Sequence, residues 1–82
     1  LFRSIYSREL IAKNVNWIMN PSKRMFARVR IRYHAKESWA YVSALGKEKV
    51  KVKFLKAQRA ITPGQSVVFY KGDYVVGGGT IE

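Results

Sequence analysis

The sequence predicts an all-β domain in which six short strands close into a small antiparallel barrel, and three observations carry that expectation. Apolar and basic residues alternate with a period of two from Met25 to Tyr33 and again from Lys49 to Phe54, the spacing of a half-buried strand and not of a helix. Turn-forming residues punctuate the chain at Asn20-Pro21-Ser22, Gly46-Lys47, Pro63-Gly64 and Lys71-Gly72-Asp73. The closing segment, residues 61–82, reads as a hairpin, and a lone hairpin is marginal in water, so further strands must cover it.

Taken in order, residues Ser7 to Trp17 fit a helix or a strand. Glu9 follows Ser7 by two positions, one short of a capping box, and Val15 alternates with Asn14 and Asn16, so a strand ending near Trp17 is expected. Met19-Asn20-Pro21-Ser22 breaks the chain, because proline biases its predecessor away from helix. From Met25 to Tyr33, Arg28, Arg30 and Arg32 share one face and Val29, Ile31 and Tyr33 the other. His34 to Ser38 is a polar connection, and WAYVSAL, Trp39 to Leu45, is a strand of aromatic and β-branched types. Gly46-Lys47 is expected to form a two-residue hairpin turn. Lys49, Lys51 and Lys53 then point outward and Val50, Val52 and Phe54 inward. Val67 to Tyr70 and the segment from Tyr74 form the last hairpin.

The chain has 82 residues, room for one core, so residues 1–82 are read as a single domain. It lacks cysteine, which excludes disulfides, thiolate metal ligands and a thiol nucleophile within these residues. No apolar run approaches the roughly 20 residues that cross a bilayer, and LFRSIYSREL has neither the apolar core nor the cleavage site of a signal peptide. The expectation is a soluble, cytoplasmic domain with no membrane partner. Leu1 stands where a start methionine would, so a piece of a longer protein is expected.

Sixteen Lys and Arg against five Asp and Glu leave a formal charge of +11, which points to a polyanionic partner. Twelve of the sixteen fall between Lys23 and Arg59, whereas from Ala60 onward only Lys71 is basic. Alternate residues on a strand lie about 6.6 to 6.8 Å apart, comparable with phosphate spacing along a nucleic-acid strand. Arginine suits that contact because its planar fork donates two hydrogen bonds to one phosphate. The ladder Arg28, Arg30, Arg32 is therefore the candidate phosphate-contacting row, with Lys49, Lys51 and Lys53 adding diffuse attraction. The plainer alternative is a charged strand face that only keeps the domain soluble.

Tyr33, Trp39 and Tyr41 lie near that ladder, where aromatic rings stack on unpaired bases in RNA-reading sheets. Core packing is expected for Trp39 and Tyr41, while Tyr33, ending a strand beside Arg32, is left for the base or sugar. His34 is the single histidine and has no cysteine or acidic cluster near it, so no metal site is expected and a surface or phosphate-contacting role is. The acids Glu9, Glu37, Glu48, Asp73 and Glu82 are scattered, with no paired carboxylates for acid and base work. Gly77-Gly78-Gly79 has no following Lys-Ser/Thr or helix to make it a phosphate cradle, and marks a bulge or a close backbone approach. No catalytic residue is expected in this chain.

QRAITPGQSVVFYKGDYVVGGGTIE, with its TPGQ turn, VFY strand, glycine turn and GGG run, closely resembles the C-terminal end of the bacterial tRNA-specific 2-thiouridylase (tRNA-uridine 2-sulfurtransferase) family. SRELIAKNVNWI resembles the start of the same domain, and VRIRYHA resembles its Arg-Tyr strand end, so the likeness covers nearly the whole chain. The resemblance implies a six-stranded barrel similar to the second domain of elongation factors, placed after an ATP-pyrophosphatase domain and a small central domain that are absent from this sequence. It implies chemistry at the wobble uridine, adenylated by ATP and thiolated by a cysteine persulfide, with the ATP loop and both cysteines outside these residues. No cofactor is expected in this chain itself. The family's tRNA-contacting Arg-Tyr pair maps onto Arg32 and Tyr33. His34 replaces a frequent arginine, Lys71 a frequent acid, and a cysteine is common near Val75.

The resemblance implies an accessory tRNA-binding role, with tRNA, the parent's own catalytic and central domains, and a sulfur-donor protein acting through the parent as partners. Two alternatives stand beside it. One is a scaffold barrel that docks on its own catalytic domain with its basic faces merely solvated, and the other is a stand-alone basic RNA-binding barrel.

Overall fold

A computed structural model of the chain describes residues 6–18, 23–31, 36–59 and 61–82. Six strands run through them: β1 (Tyr6–Trp17), β2 (Arg24–Ile31), β3 (Ser38–Ala44), β4 (Val50–Arg59), β5 (Ser66–Lys71) and β6 (Tyr74–Ile81). They pair in the order β1-β4-β3-β2-β5-β6 and close into a barrel, with every neighbouring pair antiparallel. Closure leaves no unpaired edge to recruit another chain. The meander β2-β3-β4 is consecutive in space, while β1 lies between β4 and β6, and β5 between β2 and β6.

The period-two pattern places the core. Met25, Ala27, Val29 and Ile31 of β2 point inward and are buried, as are Ala40 and Val42 of β3, Val50, Val52 and Phe54 of β4, and Val67 and Phe69 of β5. Each fully buried Val or Phe contributes about 1.5 to 3 kcal/mol from apolar area removed from water. Ala27 faces Ala40 across the β2–β3 pair, and both are wholly buried; these small residues leave room for Phe69 and Phe54 in a narrow interior. No polar or charged residue among those described is buried.

β1 serves two neighbours because it bends. Its first half pairs with β4 as far as Ala12↔Val50, and its second half pairs with β6 through Ala12↔Ile81 to Trp17↔Gly77, with a bulge between Lys13 and Asn16. Asn14 takes φ 53° there, a left-handed conformation that asparagine tolerates better than most residues. The glycine run of β6 is where the bent strand presses closest. A Cβ on Gly77 would meet Trp17 Cε3 at 2.6 Å, and one on Gly79 would meet the Lys13 carbonyl oxygen at 2.8 Å. The expected close backbone approach is therefore real, and protein atoms fill the space that a phosphate cradle would need.

Two boundaries differ from those expected. Gly46-Lys47 is not a two-residue turn: Ala44 pairs with Val50, and Leu45 N donates to the Lys49 carbonyl at 2.9 Å across a five-residue connection. Two-residue hairpin turns need a residue with φ above zero, and Gly64 and Gly72 are the described glycines that adopt it. Lys49 accordingly precedes β4 and is not a rung of it. β4 also runs past Phe54 to Arg59; the β1 register jumps from Glu9↔Lys53 to Ser7↔Gln58, so extra β4 residues bulge outward. The Thr62-Pro63-Gly64-Gln65 turn closes as expected, with Gly64 at φ 92° where a type II turn demands a positive value. Among the described residues no helix is long and apolar enough to cross a membrane.

Candidate nucleic-acid interface

The alternation that buries Met25, Ala27, Val29 and Ile31 turns Arg24, Phe26, Arg28 and Arg30 to the outer face of β2. Arg30 is exposed and lies opposite Val68 of β5, beside a shallow depression it shares with Ser66, Val68 and Tyr70. Arg28 is held more firmly. Its Nη1 donates to Glu37 Oε1 at 3.2 Å, and its Nη2 donates to the Gly72 carbonyl of the β5–β6 turn. One guanidinium thus ties the approach to β3 to the closing hairpin. Arg32, Tyr33 and His34 lie outside the described residues.

The lysine row is also divided. Lys49 Nζ lies 2.7 Å from Glu82 Oε2, and Lys51 Nζ lies 3.4 Å from Glu9 Oε1. The hydrogen bond and charge of Lys49 hold the Glu82 carboxyl below its ordinary value of 4.5. Lys53 is exposed, has no ion pair among the described residues, and sits opposite Tyr41 of β3 and Glu9 of β1.

Trp39 and Tyr41 correct the expectation of core packing: they are 49% and 38% exposed. The segment is apolar on both parities, so its pattern alone does not choose a face. The choice is made by cross-strand register, which sets Ala40 against Ala27 and Val42 against Met25 inside the barrel and leaves Trp39 and Tyr41 outside. There they meet Phe26, itself 40% exposed, which the sequence reading passed over although it shares the parity of Arg24, Arg28 and Arg30. The Phe26 and Trp39 rings stack with centroids 4.8 Å apart and planes at 7°. Tyr41 tilts against Phe26 at 4.9 Å, and the Arg24 guanidinium lies over the Tyr41 ring at 5.0 Å.

Beside this cluster is a hollow lined by Arg8, Arg24, Tyr41, Lys53, Phe54 and Leu55, contributed by β1, β2, β3 and β4. Among the described residues it holds three cationic side chains and no carboxylate. The neighbouring Glu9 carboxylate is turned to Lys51. The chemistry on offer is anion attraction next to exposed aromatic surface.

The aromatic and basic outer face sits on a barrel of recognisable type: residues 7–81 match the aminomethyltransferase β-barrel domain family. The chain belongs to that family. Proteins similar to this chain include the tRNA-specific 2-thiouridylase MnmA of Carboxydothermus hydrogenoformans, 54% identical over 95% of this chain and 22% of the relative. The tRNA-specific 2-thiouridylase MnmA 2 of Thermoanaerobacter sp. strain X514 is 54% identical with the same coverage, and the MnmA of Halothermothrix orenii is 50% identical. This barrel domain resembles the C-terminal region of those proteins and spans about a fifth of their length, 22%.

Proposed function

We propose that this barrel is the tRNA-contacting accessory domain of an enzyme that 2-thiolates the wobble uridine of tRNA. The observation that carries the reading is the 54% identity over nearly the whole chain to proteins named tRNA-specific 2-thiouridylases. The outer face supports it with an exposed Arg30 that has no ion pair among the described residues, a hollow whose described lining is cationic without a carboxylate, and exposed aromatic rings, the combination that holds a nucleic-acid backbone and its bases. In this reading Arg30, Arg32 and His34 meet the tRNA backbone, Tyr33 packs on sugar or base, and Arg28 contributes charge while bracing the hairpin. Lys49, Lys51 and Lys53 supply diffuse attraction, with Lys53 the least compensated.

ATP and the sulfur donor act, on this reading, in parts of the protein outside this chain, which would place the work in the cytoplasm where tRNA is modified. The chain's one glycine run is packed against Trp17, Val67 and the Lys13 backbone and offers no seat for a triphosphate. The residues here bind and orient tRNA and move no proton or sulfur.

A second reading has one specific observation in its favour. Arg28, Lys49 and Lys51 are each paired with an acid of the same domain, as in a barrel whose charges are structural and solvated. The two readings separate in tRNA binding by the full-length protein at fixed salt. Arg30→Ala, and separately Arg32→Ala with Tyr33→Ala, are expected to weaken binding of an unmodified tRNA transcript. Unchanged affinity in both would overturn the assignment.

A further inference from the structure

The outer face of β2 and β3 exposes three aromatic rings at adjoining positions, Phe26, Trp39 and Tyr41. Phe26 and Trp39 present their stacked pair to solvent, and Tyr41 links that pair to Arg24. The adjoining hollow gathers Arg8, Arg24 and Lys53 from three strands, with no carboxylate among its described lining residues. Two features set this apart from the arginine row of β2. Its cations come from three strands, β1, β2 and β4, and its aromatic part is preformed by ring-on-ring contact.

Charge complementarity selects the occupant. An apolar protein surface would bury Phe26, Trp39 and Leu55 but would also have to desolvate three cations with no acid inside the hollow to meet them. A nucleotide meets both requirements at once, because its phosphate answers the cations and its base has a π-face for the rings. The rings are exposed and the Phe26–Trp39 column is flat, so an unpaired base extends the stack, whereas a base inside a duplex has its faces covered already.

We propose that this hollow and the adjoining Phe26–Trp39 stack form a subsite for one unpaired nucleotide of RNA, the phosphate lying among Arg8, Arg24 and Lys53 and the base against the rings. The inference rests on the tRNA reading above and adds a second contact region to it. Tyr41 is the hinge between the two halves of the subsite, since it touches both Phe26 and the Arg24 guanidinium.

The test is binding by the full-length protein at fixed salt, with an unmodified tRNA transcript and a short single-stranded oligoribonucleotide as probes. Phe26→Ala and Trp39→Ala are expected to lower affinity for both by about tenfold, the scale of one lost base stack, while Trp39→Phe retains most of it. Arg8→Ser with Arg24→Ser is expected to weaken binding and flatten its salt dependence. The affected side chains are exposed, and unfolding midpoints check that each variant keeps its fold. An independent readout needs no loss of affinity: the oligoribonucleotide should quench tryptophan emission more in the unsubstituted protein than in Trp39→Phe, the difference being the share of Trp39.

If Arg32→Ala with Tyr33→Ala weakens tRNA binding while Phe26→Ala and Trp39→Ala change neither affinity nor quenching, the subsite is wrong and the tRNA reading stands. If the unsubstituted protein shows no salt-dependent tRNA binding, both fall. If Phe26→Ala and Trp39→Ala leave RNA binding intact but make the linkage between this barrel and the rest of the protein newly sensitive to protease, the face is a protein-docking seat and the inference is overturned.

Discussion

The Trp17 indole of β1 lies across Gly77 of β6, its register partner, so closely that a Cβ on the glycine would stand 2.6 Å from Cε3. The same ring stacks on the wholly buried Phe69 at 5.6 Å. The barrel is thus sealed at this seam by an aromatic ring on β1 that covers a strand without side chains.

Gly77→Ala is expected to destabilise the domain by about 1 to 3 kcal/mol, the usual cost of overpacking a filled interior. The ring has little freedom to retreat, since Phe69 lies behind it and the Asn16 carbonyl oxygen would stand 2.8 Å from the same Cβ. Phe69→Ala acts on the same seam from the other side and should cost about 3 to 5 kcal/mol through the cavity it leaves. Denaturant unfolding measures both. A Gly77→Ala protein as stable as the original would mean that the indole moves freely.

Arg28 and Arg30 occupy successive outward positions on one strand, yet they should respond differently to alanine. Arg28 is bound to Glu37 and to the Gly72 carbonyl, so Arg28→Ala is expected to lower stability by up to about 1 kcal/mol, the range for partly exposed ion pairs. Arg30 has no such partner among the described residues, and Arg30→Ala should leave stability within about 0.5 kcal/mol while weakening tRNA binding. Paired measurements of unfolding midpoint and tRNA affinity on the two variants check this. Equal effects of the two on stability would contradict the division of labour.

Much of the architecture was legible because residues 27–31 and 50–54 alternate strictly, and a period of two admits one structural answer. Residues 38–44 were less legible for the opposite reason. Trp39, Ala40, Tyr41 and Val42 are apolar on both faces, and only pairing with β2, which is not encoded within the segment, decides which face is inside. The glycine run could be read as a close approach, but its partner Trp17 lies 60 residues earlier, and no local pattern connects them. The acids told a similar story. Glu9, Glu37 and Glu82 look scattered along the chain, and barrel closure brings them to Lys51, Arg28 and Lys49, thinning the basic rows that looked uniform in sequence.

The Lys49–Glu82 pair carries a pH signature. Lys49, by hydrogen bond first and charge second, lowers the Glu82 carboxyl from its ordinary 4.5. A carboxyl with a depressed folded-state value favours the folded state above its unfolded value and loses that contribution as pH falls through the depressed one. The pair is exposed, so the effect is small and screened by salt. Lys49→Ala is expected to return the Glu82 titration midpoint toward 4.5, read by NMR of the side-chain carboxyl, and to remove the part of the acid-induced loss of stability that lies below that pH. An unmoved midpoint would show that the ion pair is not populated in solution.

Salt dependence discriminates between specific backbone contact and a merely solvated basic surface. If Arg30, Arg32, the hollow with its one phosphate and further cations outside the ion pairs described above engage about 5 phosphates in all, the logarithm of the tRNA association constant should fall with the logarithm of salt at a slope near −3.5 to −4.5, between single-strand and duplex values. Charges already matched by Glu37, Glu82 and Glu9 release fewer counterions, so Arg28, Lys49 and Lys51 should contribute little to that slope. Alanine at Arg30 should flatten the slope by about one unit and alanine at Arg24 by less, since Arg8 and Lys53 share its phosphate, whereas alanine at Lys51 should leave it almost unchanged, since Glu9 already lies 3.4 Å from its ammonium. Titrations from low to physiological salt with one tRNA transcript measure all three. If Lys51→Ala flattens the slope as much as Arg30→Ala, RNA pulls that lysine away from Glu9, and the intradomain ion pairs exert no control over which cations meet the backbone.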